Sequence, residues 1–178
     1  MGCGAAGLLV IVALATRSAT VEPSSLRSGS LAVGLVVSAL SAVRDELFFR
    51  GVVLRATRGL LPAWAALAAC GAASAAGRFG AEGVIGLPLL VEALRGVALG
   101  SLWIRDRGAW MAIGASAAWA WSLQSLVSGG LVDVRFPTPS DAGIPALVSV
   151  SVAAALALVW AARRTASPED SRSSDRAR

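Results

Sequence analysis

Arg44-Asp45-Glu46-Leu47-Phe48-Phe49-Arg50-Gly51 stands inside an apolar stretch. The residues before it, 31–43, are all apolar or small, and Val52-Val53-Leu54 follow. Four charges among apolar neighbours are costly in a membrane helix, at about 2.5–3.5 kcal/mol each at mid-bilayer. They must face one another, the interior of a bundle, or water. On a helix Glu46 and Arg50 are four residues apart and share a face, so they can pair. Asp45 is turned about 100° from Glu46, so the two carboxylates need not do the same job. Two readings of the cluster stand side by side: an interfacial helix end whose charges pair among themselves, and a membrane-embedded acid that moves protons, handles ions or activates water.

The rest of the chain repeats the pattern of long uncharged runs. They cover residues 1–16, 28–43 (resuming to Leu54), 59–77, 83–104, 108–132 and 142–162, and Glu92 and Arg95 interrupt the fourth. The third, fifth and sixth are long enough to cross a hydrocarbon core of about 30 Å as helices. None alternates like a barrel strand. The reading is an all-α, polytopic transmembrane bundle of about five or six helices. Residues 1–16 form a short or truncated first span, residues 28–162 the membrane domain, and residues 167–178 a disordered polar tail.

Composition agrees. Hydrophobic residues make up 56% of the 178, charged residues only 15%, and the mean hydropathy is +0.69. All 16 basic residues are Arg, which with the abundance of Ala points to a GC-rich bacterial gene and a bacterial inner membrane. The formal charge of +5 could suit nucleic acid, but the arginines lie between apolar runs, where they set topology. Arg55, Arg58, Arg105, Arg107, Arg163 and Arg164 fall on one side, and Arg17, Arg27, Arg78 and Arg135 on the other. The positive-inside rule then places both termini in the cytoplasm. Trp64, Trp103 and Trp110 lie near run ends, where interfacial belts occur. The third run is rich in Ala and Gly, which lets helices pack closely.

Histidine is absent, and neither Cys3 nor Cys70 belongs to a Cys-x-x-Cys pair. That excludes imidazole bases, Ser-His triads and the usual zinc ligand sets, so no metal and no cofactor is expected.

Asp45-Glu46-Leu47-Phe48-Phe49-Arg50-Gly51 resembles the first motif, Glu-Glu-x-x-x-Arg, of the CPBP family of intramembrane proteases. That family includes the Rce1-type CAAX prenyl proteases and the Abi bacteriocin-immunity proteins. Gly96-Val97-Ala98-Leu99-Gly100-Ser101-Leu102-Trp103 is similar to the family's Gly-x-x-x-Gly-x-x-Tyr. Gly108 to Ala115 and then Ser116-Ala117-Ala118-Trp119-Ala120 follow where the family has a Gly-Ser-Leu-Trp stretch and then His-x-x-x-Asn. The resemblance implies an intramembrane endopeptidase. In it a motif-one carboxylate activates water, and the later His and Asn stabilise the oxyanion.

This chain departs from that set. The first carboxylate is Asp45, one methylene shorter; Glu46 and Arg50 are kept. Arg78 stands at the His of the second motif, Ser116 at the His of the last, and Ala120 at its Asn. The resemblance therefore implies a degenerate member, with hydrolysis impaired or lost. Arg78 is expected to take the place of the missing His as partner of the Asp45/Glu46 pair. Glu92 and Arg95, three apart, are expected to neutralise each other within their helix. The partners implied are the bilayer and a membrane-associated or lipidated peptide. Alternatives are a non-catalytic, immunity-type binding scaffold and a small transporter subunit.

Overall fold

The computed structural model describes residues 2–17, 19–23, 28–83, 85–127, 132–135 and 143–165. The proposed polar tail, 167–178, lies outside them. The chain is mostly helical: α1 (Gly2–Ala15), α2 (Ser28–Asp45), a π-helical turn (Glu46–Gly51), α3 (Val52–Thr57), α4 (Ala63–Glu82), α5 (Leu87–Asp106), α6 (Trp110–Val127) and α7 (Gly143–Thr165). Every apolar run becomes a helix, because uncharged Ala- and Leu-rich segments satisfy their own backbone. Leu87–Asp106 and Ile144–Ala162 are long and apolar enough to cross a bilayer, with mean hydropathies of 1.5 and 2.2. The first of these is the run interrupted by Glu92 and Arg95. The apolar part of α1, Cys3–Ala15, is shorter.

A two-stranded antiparallel ribbon joins β1 (Thr20–Pro23) to β2 (Val132–Arg135), with Thr20 opposite Arg135 and Pro23 opposite Val132. The sequence reading contained no strand. Four-residue strands carry too little alternation to stand out, and this pair forms across more than a hundred residues of chain. Buried Val134 packs with Ala13 and Ala19 and so ties the end of α1 to the end of α6.

Punctuation sets the helix limits. Pro62 precedes α4 in an extended conformation, and Gly83 ends it at φ 65°, its N–H donating to Phe79 O at 2.7 Å. Pro88 occupies the first turn of α5, where a missing N–H costs nothing.

The core lies where α5 meets α6 and α7. Ala98, Leu99 and Leu102 are buried with Ala112, Ala154 and Ala157. On its other side α5 meets α4 at backbone distance. A Cβ on Gly96 would stand 2.7 Å from Cys70 O and 2.9 Å from Gly71 Cα. One on Gly71 would stand 2.9 Å from Ala93 O. The small residues of α4 thus do what their composition suggests. Val36, Leu40 and Phe48 lie on the outer surface, as do Trp64 and Trp110.

Candidate active site

The charged cluster falls where the helix winding changes. The N–H of Val52 donates to Leu47 O, five residues back, so the turn between α2 and α3 carries one extra residue. Such π-turns concentrate at functional sites because they re-aim side chains without breaking the helix. Here Leu47 and Phe48 face outward, while Glu46 and Arg50 are fully buried. Two glycines make room for the rings at this level. A Cβ on Gly77 would meet the Phe49 ring at 2.6 Å, and one on Gly51 would meet Trp103 at 3.3 Å.

Glu46 is engaged through both oxygens. Oε1 accepts from Arg50 Nη1, and Oε2 accepts from Trp103 Nε1 at 3.0 Å. Arg50 Nη2 donates onward to Ser74 Oγ at 3.3 Å. One ion pair therefore links the π-turn, α4 and α5. Its members are hydrogen-bonded as well as oppositely charged, which offsets much of the cost of burying them, although Arg50 Nε has no acceptor. The sequence pairing of Glu46 with Arg50 is borne out in the structure. The parts played by Trp103 and Ser74 were not foreseen. Trp103 reads as a belt residue by its position near a run end, but it turns inward to the carboxylate. Its place at the end of the Gly-x-x-x-Gly-x-x-Tyr segment was the available signal.

Asp45 behaves differently. Its Oδ1 takes both contacts from Arg44, whose side chain is 68% exposed; among the described residues no contact falls on Oδ2. Asp45 lines a cavity of about 220 Å³ with Arg50, Ser74, Arg78, Glu82, Glu92 and Arg95.

The expected partnership of Arg78 with Asp45 and Glu46 is overturned. Arg78 pairs with Glu82 at 2.8 Å, one turn along α4, with both side chains nearly half exposed. The reason is local geometry: Glu82 is four residues away on the same face, and Glu46 is already saturated. Arg95 pairs with Glu92 within α5, as expected. Arg95 Nε is nevertheless buried without a partner, as is Arg50 Nε.

The last-motif positions lie elsewhere. Ala120 lines an adjoining cavity of about 350 Å³ with Arg78, Glu92, Arg95 and Trp119. Ser116, buried, lines a third and almost wholly apolar cavity with Arg95, Leu99, Leu102 and Trp119. Thus Asp45, Arg50 and Arg78 share one cavity, while Ser116 and Ala120 line neighbouring ones. Arg95 lines all three. Sequence reading saw it only as half of an ion pair, because nothing in a spacing reveals where three cavities meet. Among the described residues no group of three acidic or Cys side chains could hold a metal ion.

A family model described as type II CAAX prenyl endopeptidase Rce1-like matches residues 27–122, more than half of the chain. The chain belongs to this family. The matched segment takes in α2, the π-turn, α4, α5 and the Ser116–Ala120 stretch of α6, which together carry every residue of the site just described. Rce1-like proteins are membrane-embedded, in keeping with the apolar outer surface of this bundle. Searches of curated proteins and of solved structures return no match.

Proposed function

We propose that this Rce1-like chain is a membrane-embedded endopeptidase whose peptide-bond hydrolysis is much weaker than that of a member with the full motif set. One observation carries the reading. Of the two adjacent motif carboxylates, Glu46 is saturated by Arg50 and Trp103, whereas Asp45 lines a cavity large enough for a peptide bond and water. Asp45 would take a proton from water as the water oxygen adds to the carbonyl carbon. The carbonyl π pair moves onto oxygen. When the pair returns, the C–N bond breaks, and the proton passes from Asp45 to the leaving nitrogen. Ala120 offers no side-chain donor, and Ser116 lines a different cavity from Asp45. Loss of one oxyanion donor costs a factor of about 10²–10³, so the rate is expected to be low.

The substrate class would be a membrane-associated or prenylated peptide, in line with the family's description. We place all the long runs across a bacterial inner membrane with cytoplasmic termini. The ribbon supports this partition, since Thr20 and Arg135 pair in segments that the Arg distribution assigns to one side.

The test is cleavage of a farnesylated CAAX-type peptide, and of its unprenylated counterpart, by the purified chain in nanodiscs. Asp45→Asn should reduce cleavage by about 10²–10⁴-fold, the usual contribution of a general base. A second reading, a non-catalytic binding scaffold, is favoured by the fact that each acid of the site already neighbours an arginine. Absence of cleavage by the wild-type chain, with the peptide still bound, would establish that reading.

A further inference from the structure

The two polar cavities of the site share one end of the bundle. The walls given by α4 and α5 run from Ser74 to Glu82 and from Pro88 to Arg95, and nothing from 63–73 or 96–106 joins them. These are the last turns of α4 and the first turns of α5. The second half of α6 contributes Ala120 and Leu123, and the first turn of α7 contributes Ala146. The ribbon of β1 and β2 fastens α1 to α6 at the same end. At 1.5 Å per residue, Ser74 lies about 12 Å from the end of α4 and Arg95 about 12 Å from the start of α5. The site therefore occupies the half of the bundle nearer the ribbon. Toward the other end the described residues close up. Leu99 and Leu102 are buried against Ala112, Ala154 and Ala157, and a Cβ on Gly100 would stand 3.1 Å from Leu67 Cδ2. The cavity at Ser116 lies on that side, but its lining is almost wholly apolar. At the ribbon end the wall carries Arg78 and Glu82, both nearly half exposed, and exposed Ala81. Water and a polar peptide backbone thus meet a charged entrance at one end and an apolar floor at the other.

The arginines distinguish the two ends. Arg55, Arg58, Arg105 and Arg107 lie toward the apolar floor, as does the last turn of α7 with Arg163 and Arg164. Under the positive-inside rule that end is cytoplasmic. We propose that the site is entered from the ribbon end, and that its substrate is a peptide on the non-cytoplasmic side of the membrane. This rests on the site and the bilayer placement proposed above, but not on catalysis. The process that supplies the substrate is then export. A peptide must have crossed the membrane, or be an outer segment of a membrane protein, before it can reach Asp45.

The experiment reads access to thiols placed in the full chain, using a small membrane-impermeant thiosulfonate on sealed right-side-out and inverted membrane vesicles. Exposed Cys3 is replaced by Ser and buried Cys70 is kept, and this background should not react. Ala81→Cys reports on the cavity of Asp45, and Ala120→Cys on the adjoining one. Leu60→Cys, at a position 79% exposed between α3 and α4, reports on the opposite end. Ala81→Cys and Ala120→Cys should react at least tenfold faster in right-side-out vesicles, and Leu60→Cys at least tenfold faster in inverted ones. The unprenylated peptide of the cleavage assay should slow the reaction of Ala81→Cys at least threefold when added outside right-side-out vesicles. Added outside inverted vesicles, it should not. Site cysteines that react from the same face as Leu60→Cys, or from neither face, overturn the entrance. If all three positions exchange faces, the substrate side is overturned, as it is if the peptide protects only from the cytoplasmic face or from neither. Access and protection from the outer face without cleavage sink the peptidase reading alone.

Discussion

Asp45 and Glu46 are neighbours in sequence with the same chemistry, yet they belong to two different regions of the molecule. Glu46 is buried in a knot with Arg50, Trp103 and Ser74, drawn from the π-turn, α4 and α5, and only Arg50 and Ser74 of that knot reach the wall of Asp45's cavity. Asp45 lines a cavity and, among the described residues, pairs with the largely exposed Arg44 at the same cavity. About 100° of helical rotation separates them, and the packing of α5 against the turn does the rest. The contrast teaches that a motif of paired acids can divide its labour. One acid fastens the helices together, and the other lines a cavity.

The largest effect should come from opening the knot. Glu46→Ala leaves the buried Arg50 charge without a partner and should destabilise the fold by about 3–5 kcal/mol. Thermal melting in detergent measures this, and the combined Glu46→Leu/Arg50→Met change should recover much of the loss. If Glu46→Ala melts like the wild type, the division between the two acids fails.

A smaller effect is expected at Trp103→Phe, which keeps an aromatic ring beside Gly51 but deletes the donor to Glu46. The loss should be about 1.5–3 kcal/mol, as for hydrogen bonds to charged groups, with Trp103→Tyr less affected if its hydroxyl reaches the carboxylate. Melting of the two variants side by side would sharpen the contrast, because the ring is common to both.

The smallest effect belongs to Arg78. Its pair with Glu82 is nearly half exposed, so Arg78→Ala should shift stability by only about 0–1 kcal/mol. A large drop in melting temperature would return Arg78 to the carboxylates and blur the two regions into one.

Much of this was legible in the sequence. The apolar runs give every helix described, because a segment with few charges, or with charges that pair within one turn as Glu92 and Arg95 do, has few alternatives in an apolar medium. The Glu46–Arg50 and Glu92–Arg95 pairs follow from spacing, since residues three or four apart share a helix face. The closeness of α4 and α5 follows from their Gly and Ala content.

What the chain could not disclose is what joins segments far apart. The ribbon between β1 and β2 depends on where α1 and α6 end in space. The extra residue of the π-turn has no sequence signature, and it leaves Glu46 and Arg50 buried while Leu47 and Phe48 face outward. Trp103 reaches Glu46 across 57 residues, and Ser74 reaches Arg50 across 24. Those bonds, and not the motif, decide which acid is buried in the knot and which lines the cavity. Sequence by itself determined that Asp45-Glu46 sits in a mostly helical chain of the Rce1-like kind. Only the tertiary structure separated the two carboxylates and set Arg95 where three cavities meet, because burial and hydrogen bonding are properties of packed helices and not of any one of them.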